Sequence, residues 1–328
     1  MHPMDLFQQQ VSNRRRTWLV MAIFVAFLFF LGFGFDTFYL RTRVPITGLV
    51  ALAAGAVGAY LSYRSGDRAV LASAGAVPIS DLQGPSVSEA DRLEYRQLEN
   101  VIEEMTIASG LPRPALFVIP DPDPNAFATG RDPEHASIAV TKGLLDALNR
   151  EELQAVVAHE LSHVRNFDIR LMTVVAALVG AIVLLADFLR RGLSWGGGRK
   201  GRGSRDKGGG AAGAVVFVVW IVAVLLAPVI GQVLAMMVSR RREYLADASA
   251  AEMTRNPQAL ASALHTIEFA SEPTNSIKRG TANLCIADPL GRAAGKREGR
   301  LADLFASHPP MVKRISALRE MAYQSARE

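Results

Sequence analysis

The chain has very little cysteine: Cys285 is its one cysteine among 328 residues. A single thiol cannot form an intrachain disulfide, and it excludes a metal site built from several cysteines. Such sparing use of cysteine is consistent with a reducing compartment for the soluble part of the chain.

Aromatic residues are also few, at 7% of the chain, although the formal net charge is +5. No nucleic-acid-binding motif accompanies this charge, and aromatic residues are not interleaved with the basic ones. The sequence has no internal repeats. We therefore expect no nucleic-acid partner.

Apolar residues are abundant, at 50% of the chain, whereas 20% of the residues are charged. The apolar residues are concentrated in four runs, which are Thr17–Phe35, Val44–Tyr63, Leu171–Leu189 and Ala214–Val238. Each run is long enough to cross a hydrocarbon core of about 30 Å at a rise of about 1.5 Å per residue. The pattern predicts a multi-pass membrane protein whose partners include the lipid bilayer.

Each of these four runs has an alternative interpretation. The first follows Arg14–Arg16 like a signal peptide, but it is too long and has no clear cleavage site, which favours a retained anchor. The second could instead be a buried Ala- and Gly-rich helix of a soluble domain. The third and fourth could form a hairpin that enters the membrane without crossing it.

Basic residues give conflicting signals about topology. Arg14–Arg16 predict that the tail, residues 1–16, is cytoplasmic. The loop Arg190–Gly213 is also basic, and it would lie outside the cytoplasm if both flanking runs crossed the membrane, against the positive-inside trend. The non-spanning hairpin therefore stays open. This loop is rich in Gly and Ser, which predicts disorder, and its charge favours anionic lipid headgroups.

The most informative motif is His159-Glu160-Leu161-Ser162-His163. On a helix, positions i and i+4 lie on one face, so His159 and His163 can bind one metal ion. Glu160 can then reach a water in the open position of the metal. This arrangement of two ligands and one general base is typical of metalloproteases.

The helix that carries this motif is well specified. Asn149 and Glu152 have the spacing of a capping box, and apolar residues recur after them at helical spacing. No Pro or Gly occurs from Glu151 to Leu178, so we expect the helix to continue unbroken towards the membrane.

A catalytic zinc usually has three protein ligands, and Glu243 is the best candidate for the third. Glu243 lies just after the fourth apolar run, and His163 lies just before the third. A hairpin formed by these two runs would therefore bring Glu243 and His163 together. Asp247 lies on the same helix face as Glu243 and could accept the second ring N–H of a ligand histidine. The other candidate ligands are His265, Glu252 and His308. A solvated helix in which Glu243 and Asp247 pair with the arginines beside them is the structural alternative.

Three segments resemble the HtpX family of membrane zinc endopeptidases, which is related to the CAAX prenyl proteases. They are HELSHVRNFD (159–168), SRRREYLADA (239–248) and LFASHPP (304–310). The resemblance implies one zinc ion per chain, bound by His159, His163 and Glu243, with Glu160 as the general base. It also implies a catalytic domain on the cytoplasmic side of the cytoplasmic membrane and a role in clearing damaged membrane proteins.

Four further residues are predicted to contact the ligands or the substrate: Asp247, His308, Asn125 and Arg240. His308 precedes two prolines at the start of a predicted helix and could donate a hydrogen bond to the oxyanion of the intermediate. A helix-capping or core histidine is the alternative for His308. Asn125 begins the segment 125–130, a predicted loop that also resembles the family.

The remaining pattern predicts a mainly α fold with a small β-sheet, an α+β zincin-like catalytic domain on a membrane-anchored helical frame. The expected edge strand of the sheet is His135–Thr141, on which a peptide substrate would pair. Pro112–Ile119 is predicted as a buried strand, whereas Asp91–Thr106, Pro257–Glu268 and Pro310–Gln324 are predicted as helices. In the last of these, Val312, Ile315 and Leu318 are expected to face inward.

These elements divide the chain into five parts. After the tail, residues 17–63 form two transmembrane helices and residues 64–170 the first part of the catalytic domain. Residues 171–238 form the apolar hairpin with its basic loop, 190–213, and residues 239–328 complete the catalytic domain.

The function that these features favour is that of a zinc-dependent endopeptidase acting on polypeptides, among them membrane proteins. One alternative is a CAAX-type prenyl-peptide protease, although four apolar runs are too few to enclose a large chamber within the membrane. The other is a membrane scaffold with a structural zinc, which would not need Glu160. The sequence does not predict the oligomeric state.

Overall fold

The structure is a computed structural model, and it describes residues 6–37, 42, 44–84, 87–178, 240–270, 284–287 and 309–325. Within these residues the fold is mainly helical with one small sheet, as the sequence predicts.

Two long helices begin the chain. Helix α1 (Leu6–Phe35) packs against helix α2 (Ile46–Ser73). Asp36, just after α1, accepts the backbone N–H groups of Thr47 and Gly48 at 3.0 and 2.8 Å. This carboxylate supplies the cap that Pro45, which precedes α2, cannot provide. Helix α2 runs past the expected boundary at residue 63 and kinks at Ser65.

Both helices are long and apolar enough to cross a membrane, over Val11–Phe35 and Ile46–Ser73. Many of their large apolar side chains face outward; Trp18, Leu49 and Val50 are 56%, 51% and 63% exposed. A helix in the core of a soluble domain would bury such side chains. This exposure disfavours the interpretation of the second run as a soluble core helix.

The third apolar run begins in residues 168–178, which are helical. The rest of this run, the fourth run and the basic loop lie outside the described residues. The choice between a spanning and a non-spanning hairpin therefore stays a prediction.

The sheet has four strands in the order β1-β2-β4-β3, which are Val77–Pro78 (β1), Ala115–Ile119 (β2), Ala126–Gly130 (β3) and Ala136–Thr141 (β4). Strands β2 and β4 are parallel, whereas the other pairs are antiparallel. The prediction of β4 as the edge strand is wrong, because β3 lies outside it. The segment predicted as a loop, 125–130, supplies this edge strand.

Helices cover the sheet and join it to the rest of the domain. They are α3 (Glu89–Ser109), α4 (Lys142–Ala147), α5 (Arg150–Arg165), α6 (168–178), α7 (Arg240–Thr254), α8 (Pro257–Glu268) and α9 (Met311–Ser325). Helix α5 lies at the centre and contacts α3, α7, α8 and β3. Its side chains are buried from Leu153 to Val164, with the exception of Gln154.

Two local expectations are wrong. The helix carrying the two histidines does not continue unbroken, because it ends at Arg165 and Phe167 takes a left-handed conformation at φ 56°. In α9, Val312 is 74% exposed, whereas Arg314 is fully buried. Ile315 and Leu318 face the core as expected.

Candidate metal centre

A capping box stabilises the N-terminus of helix α5. The Asn149 side chain accepts the backbone N–H of Glu152, and the Glu152 carboxylate accepts that of Asn149, both at 3.0 Å. Ser262 on α8 donates to the same carboxylate at 2.6 Å. These bonds fix the N-terminus of the helix, which begins nine residues before His159.

His159, His163 and Glu243 are brought together by α5 and α7. The two Nε2 atoms lie 3.3 Å apart, and each is 3.7–3.8 Å from a Glu243 carboxylate oxygen. Ligand atoms at about 2.0–2.1 Å from a tetrahedral zinc are about 3.3–3.4 Å from one another. The three side chains therefore fit a single metal ion, and they are all buried.

A carboxylate lies behind each histidine. His159 Nδ1 is 3.0 Å from Asp247 Oδ1, and His163 Nδ1 is 3.1 Å from Asp168 Oδ2. Contacts of this kind orient the imidazole rings of metal sites and select the tautomer that leaves Nε2 for the metal. Both carboxylates are buried.

Arg314 neutralises the carboxylates of α7. Its Nε and Nη2 donate to the two oxygens of Asp247 at 2.8 and 2.7 Å, and its Nη1 is 3.4 Å from Glu243 Oε2. A two-pronged guanidinium–carboxylate contact fixes both groups more firmly than a single bond. Burial by itself would raise the pKa of the Asp247 carboxyl. The charge of Arg314 and the contact with His159 outweigh this effect and hold the pKa below its ordinary value.

The geometry of this site agrees with the comparison with known families, in which residues 92–322 match the model of peptidase family M48. The chain belongs to peptidase family M48. It is 40% identical over 317 residues to a protease HtpX homolog of Thermoanaerobacter pseudethanolicus, covering 96% of this chain and 98% of that one. A protease HtpX homolog of Lactobacillus acidophilus is 40% identical over 318 residues, covering 96% of this chain and all of its relative.

Among solved structures, S. mikatae Ste24p matches with a TM-score of 0.46 and 19% identity, over 95% of this chain and 67% of that one. The family and the curated relatives confirm the predicted resemblance. The same comparisons support a membrane metalloprotease, and membership of the family implies a bound metal.

Glu160 of this peptidase is 1% exposed and lies beside both histidines. Burial raises the pKa of its carboxyl, against the opposing charges of the two histidines and a backbone hydrogen bond from Ala128 of β3. Its Oε2 has no hydrogen-bond partner within the described ranges of the chain. A buried carboxylate with a raised pKa and an available oxygen has the properties of a general base near neutral pH.

The other predicted site residues have different surroundings. Asn125 is buried, and its amide donates to Ala287 O at 3.2 Å, while its side-chain oxygen accepts the Ala126 N–H. Arg240 begins α7, but its side chain lies outside what the structure describes, as does the whole of His308. Asn125 directly precedes β3, and the contact of its amide with Ala287 O is accompanied by a second bond from the same segment, in which Ile286 N–H donates to Ala126 O at 2.9 Å.

Two of the alternative ligands, Glu252 and His265, and the solvated-helix alternative are not supported, whereas His308 stays an open candidate because it lies outside the described residues. Glu252 and His265 are exposed, whereas Glu243 and Asp247 are each 2% exposed. A helix face that paired with solvated arginines would leave these two carboxylates in water. Burial of the pair therefore favours a role for α7 at the metal centre.

Sequence reasoning missed Asp168 and Arg314. Asp168 ends the segment HELSHVRNFD, but an unbroken helix would place it away from the His163 ring. Arg314 lies three residues after Met311 and four before Leu318, so helical spacing puts it on the apolar face of α9, where it is fully buried although it is charged. An arginine followed by an apolar residue and flanked by Met311 and Leu318 is a weak signal in one sequence.

Protons should compete with the metal at His163. Its hydrogen bond to Asp168 and the charges of Glu243, Asp168 and Glu160 outweigh burial and raise its pKa to about 9. Metal binds the neutral imidazole, so below this pKa the metal must displace a proton. We expect the apparent zinc affinity to rise roughly tenfold per pH unit from pH 7 to 9 and then to level off.

The measurement is a chelator competition on the metal-free, detergent-purified protein at each pH, corrected for protonation of the chelator. In Asp168→Asn the pKa of His163 should fall, which would move the levelling point to lower pH. An affinity that is flat between pH 7 and 9 in the wild type would contradict the assignment of His163 as a ligand that is protonated without metal.

Proposed function

We propose that this M48 peptidase is a zinc-dependent endopeptidase that cleaves cytoplasmic segments of misfolded or damaged membrane proteins. The observation that carries the proposal is the buried group of His159, His163 and Glu243, with Glu160 beside it. Two imidazoles and one carboxylate form a donor set that suits zinc and leaves a fourth position for water.

The chain supplies the proton transfers. When bound, zinc makes a water more acidic and polarises the scissile carbonyl. With zinc bound, Glu160 would accept the proton of the attacking water at Oε2, which the structure leaves without a partner among the described residues. The raised pKa of the carboxyl lets Glu160 hold this proton and pass it to the leaving amine.

A peptide would be positioned by β3, which is one of the two edge strands of the described sheet and lies against α5. Extended peptides bind to such an edge through main-chain hydrogen bonds. Ala128 of β3 donates to Glu160, so a peptide lying along this strand would be beside the general base, and it would have to displace Ile286, whose N–H occupies Ala126 O. Asn125 at the start of β3, together with His308 and Arg240, is proposed to border the substrate.

The position of the site next to α1 supports membrane proteins as the substrates. Asn13, near the start of the candidate span Val11–Phe35, donates a hydrogen bond to Asp168 behind His163. The metal centre is thus close to one end of that span. Arg14 and Arg15 beside it are exposed and basic, which favours the cytoplasmic side.

Glu160→Gln tests the proposed base. The amide has the shape of the carboxylate but cannot accept the proton of the water at neutral pH. Loss of a general base costs roughly 10²–10⁴-fold in rate, so we expect cleavage of a peptide or an unfolded membrane-protein substrate to fall by this factor with zinc content unchanged. Glu134→Gln, at an exposed carboxylate, serves as the matched control and should keep wild-type turnover.

Turnover of Glu160→Gln close to that of the wild type would remove Glu160 from the mechanism. A loss of zinc together with activity would instead point to a structural effect of the substitution.

The membrane topology has a separate test. If the third and fourth apolar runs cross the membrane, as their length favours, a cysteine at Ser204 should react with an impermeant reagent added to intact cells. The background is Cys285→Ala, since Cys285 is buried among apolar side chains and alanine is tolerated better there than serine. Labelling only after permeabilisation would show that the hairpin returns without crossing.

A further inference from the structure

The N-terminal membrane helix contributes a buried amide to the metal centre. Asn13 on α1 is 4% exposed, and its Nδ2 donates to Asp168 Oδ1 at 2.7 Å and to Asn166 O at 3.1 Å. A side-chain amide nitrogen carries two hydrogens, so both of its donors are used on the turn that follows α5.

Asp168 is the carboxylate behind the ligand His163, and its two oxygens have different partners. Oδ2 lies 3.1 Å from His163 Nδ1, whereas Oδ1 accepts from Asn13 and from Arg242 Nη1, the latter at 3.2 Å. The bond from Asn13 is the shorter of the two. It therefore has a large part in setting the angle at which the carboxylate faces the imidazole.

The turn itself also needs support. Phe167, between Asn166 and Asp168, has a φ of 56°, in the left-handed region that is unfavourable for a bulky aromatic residue. Such a conformation persists when surrounding contacts hold it. Asn13 contacts the residues on both sides of Phe167, so one side chain holds the turn and the carboxylate together.

Helix α1 is in a position to apply this constraint. Val20, Met21 and Phe24 of α1 share an apolar cluster with residues of α6, the helix that begins at Asp168. Asn13 lies two turns before Val20 on the same helix, so the packing of the membrane segment fixes the height and rotation at which the amide meets Asp168.

We propose that Asn13 is a positioning residue of the metal centre, which acts through Asp168 to fix the orientation of His163. The proposal rests on the proposed function, because it takes His163 to be a metal ligand. It makes the first turns of the membrane anchor a part of the metal site as well as an attachment to the bilayer.

The test is zinc affinity in Asn13→Ala, measured by chelator competition on the full chain in detergent. Loss of a partner that orients a ligand typically costs 10–100-fold in affinity, and we expect about tenfold, since Arg242 stays in place. The visible absorption of bound Co²⁺ should change as well, because it reports ligand geometry. Asn13→Asp retains the shape but replaces the donor with an acceptor, and should lose at least as much affinity.

Thr17→Val is the matched control. Thr17 is buried one turn further along α1, and its hydroxyl donates to Asn13 O at 2.9 Å. This variant removes a buried hydrogen bond from the same helix without touching Asp168, so its zinc affinity should equal that of the wild type. An equal loss in Thr17→Val would overturn the proposal, since the effect would then come from the helix as a whole.

A double-mutant cycle tests the route through Asp168. In an Asp168→Ala background, Asn13→Ala should have no further effect on zinc affinity. Full additivity of the two losses, or wild-type affinity in both Asn13 variants, would overturn the proposal. A wild-type protein that binds no metal would instead contradict the proposed function, so the two failures are distinguishable.

Discussion

Each histidine of the metal centre is held from behind by a carboxylate, and the arrangement of the surrounding helices depends on this pair of contacts. Asp247 comes from α7 and Asp168 from the turn after α5, while Glu243 adds a third carboxylate between them. With Glu160, four buried carboxyl groups lie beside two imidazoles, an arrangement that would be costly without compensation. Arg314 of α9 and Arg242 of α7 supply the opposite charge, so a C-terminal helix is needed at a site built mainly by α5.

This requirement explains why distant segments of the chain meet at one point. α1, α5, α7 and α9 each contribute at least one buried polar side chain to the group around the histidines. Removing one partner of a buried ionic contact leaves an uncompensated charge, which is more costly than the contact itself is stabilising. The site thus connects helix α1, the sheet and the C-terminal helix α9 through buried polar contacts.

Local spacing was sufficient to predict the parts of the site that lie on single helices. The i, i+4 relations of His159 with His163 and of Glu243 with Asp247 follow from helical geometry alone, as does the capping box at Asn149. Asp168 could not be found in this way, because no Gly or Pro indicates the left-handed Phe167 that turns it towards His163. Arg314 shares the apolar face of its helix with Met311, Ile315 and Leu318, but the reason for a charge on that face becomes evident only when α7 places Asp247 opposite it. The order of β3 and β4 is likewise a matter of long-range pairing, since both strands are short and buried and neither has a distinctive pattern of side chains.

The most direct test of the account is the metal content of the purified full chain, compared between the wild type and Glu243→Ala, with X-ray absorption at the zinc edge. We expect one zinc per wild-type chain, with nitrogen and oxygen ligands at about 2.0–2.1 Å and no sulfur ligand. Zinc should be largely lost in Glu243→Ala. Glu252→Ala, at an exposed carboxylate of the same helix, should retain it. Full zinc occupancy in Glu243→Ala, with an unchanged absorption spectrum, would contradict the account.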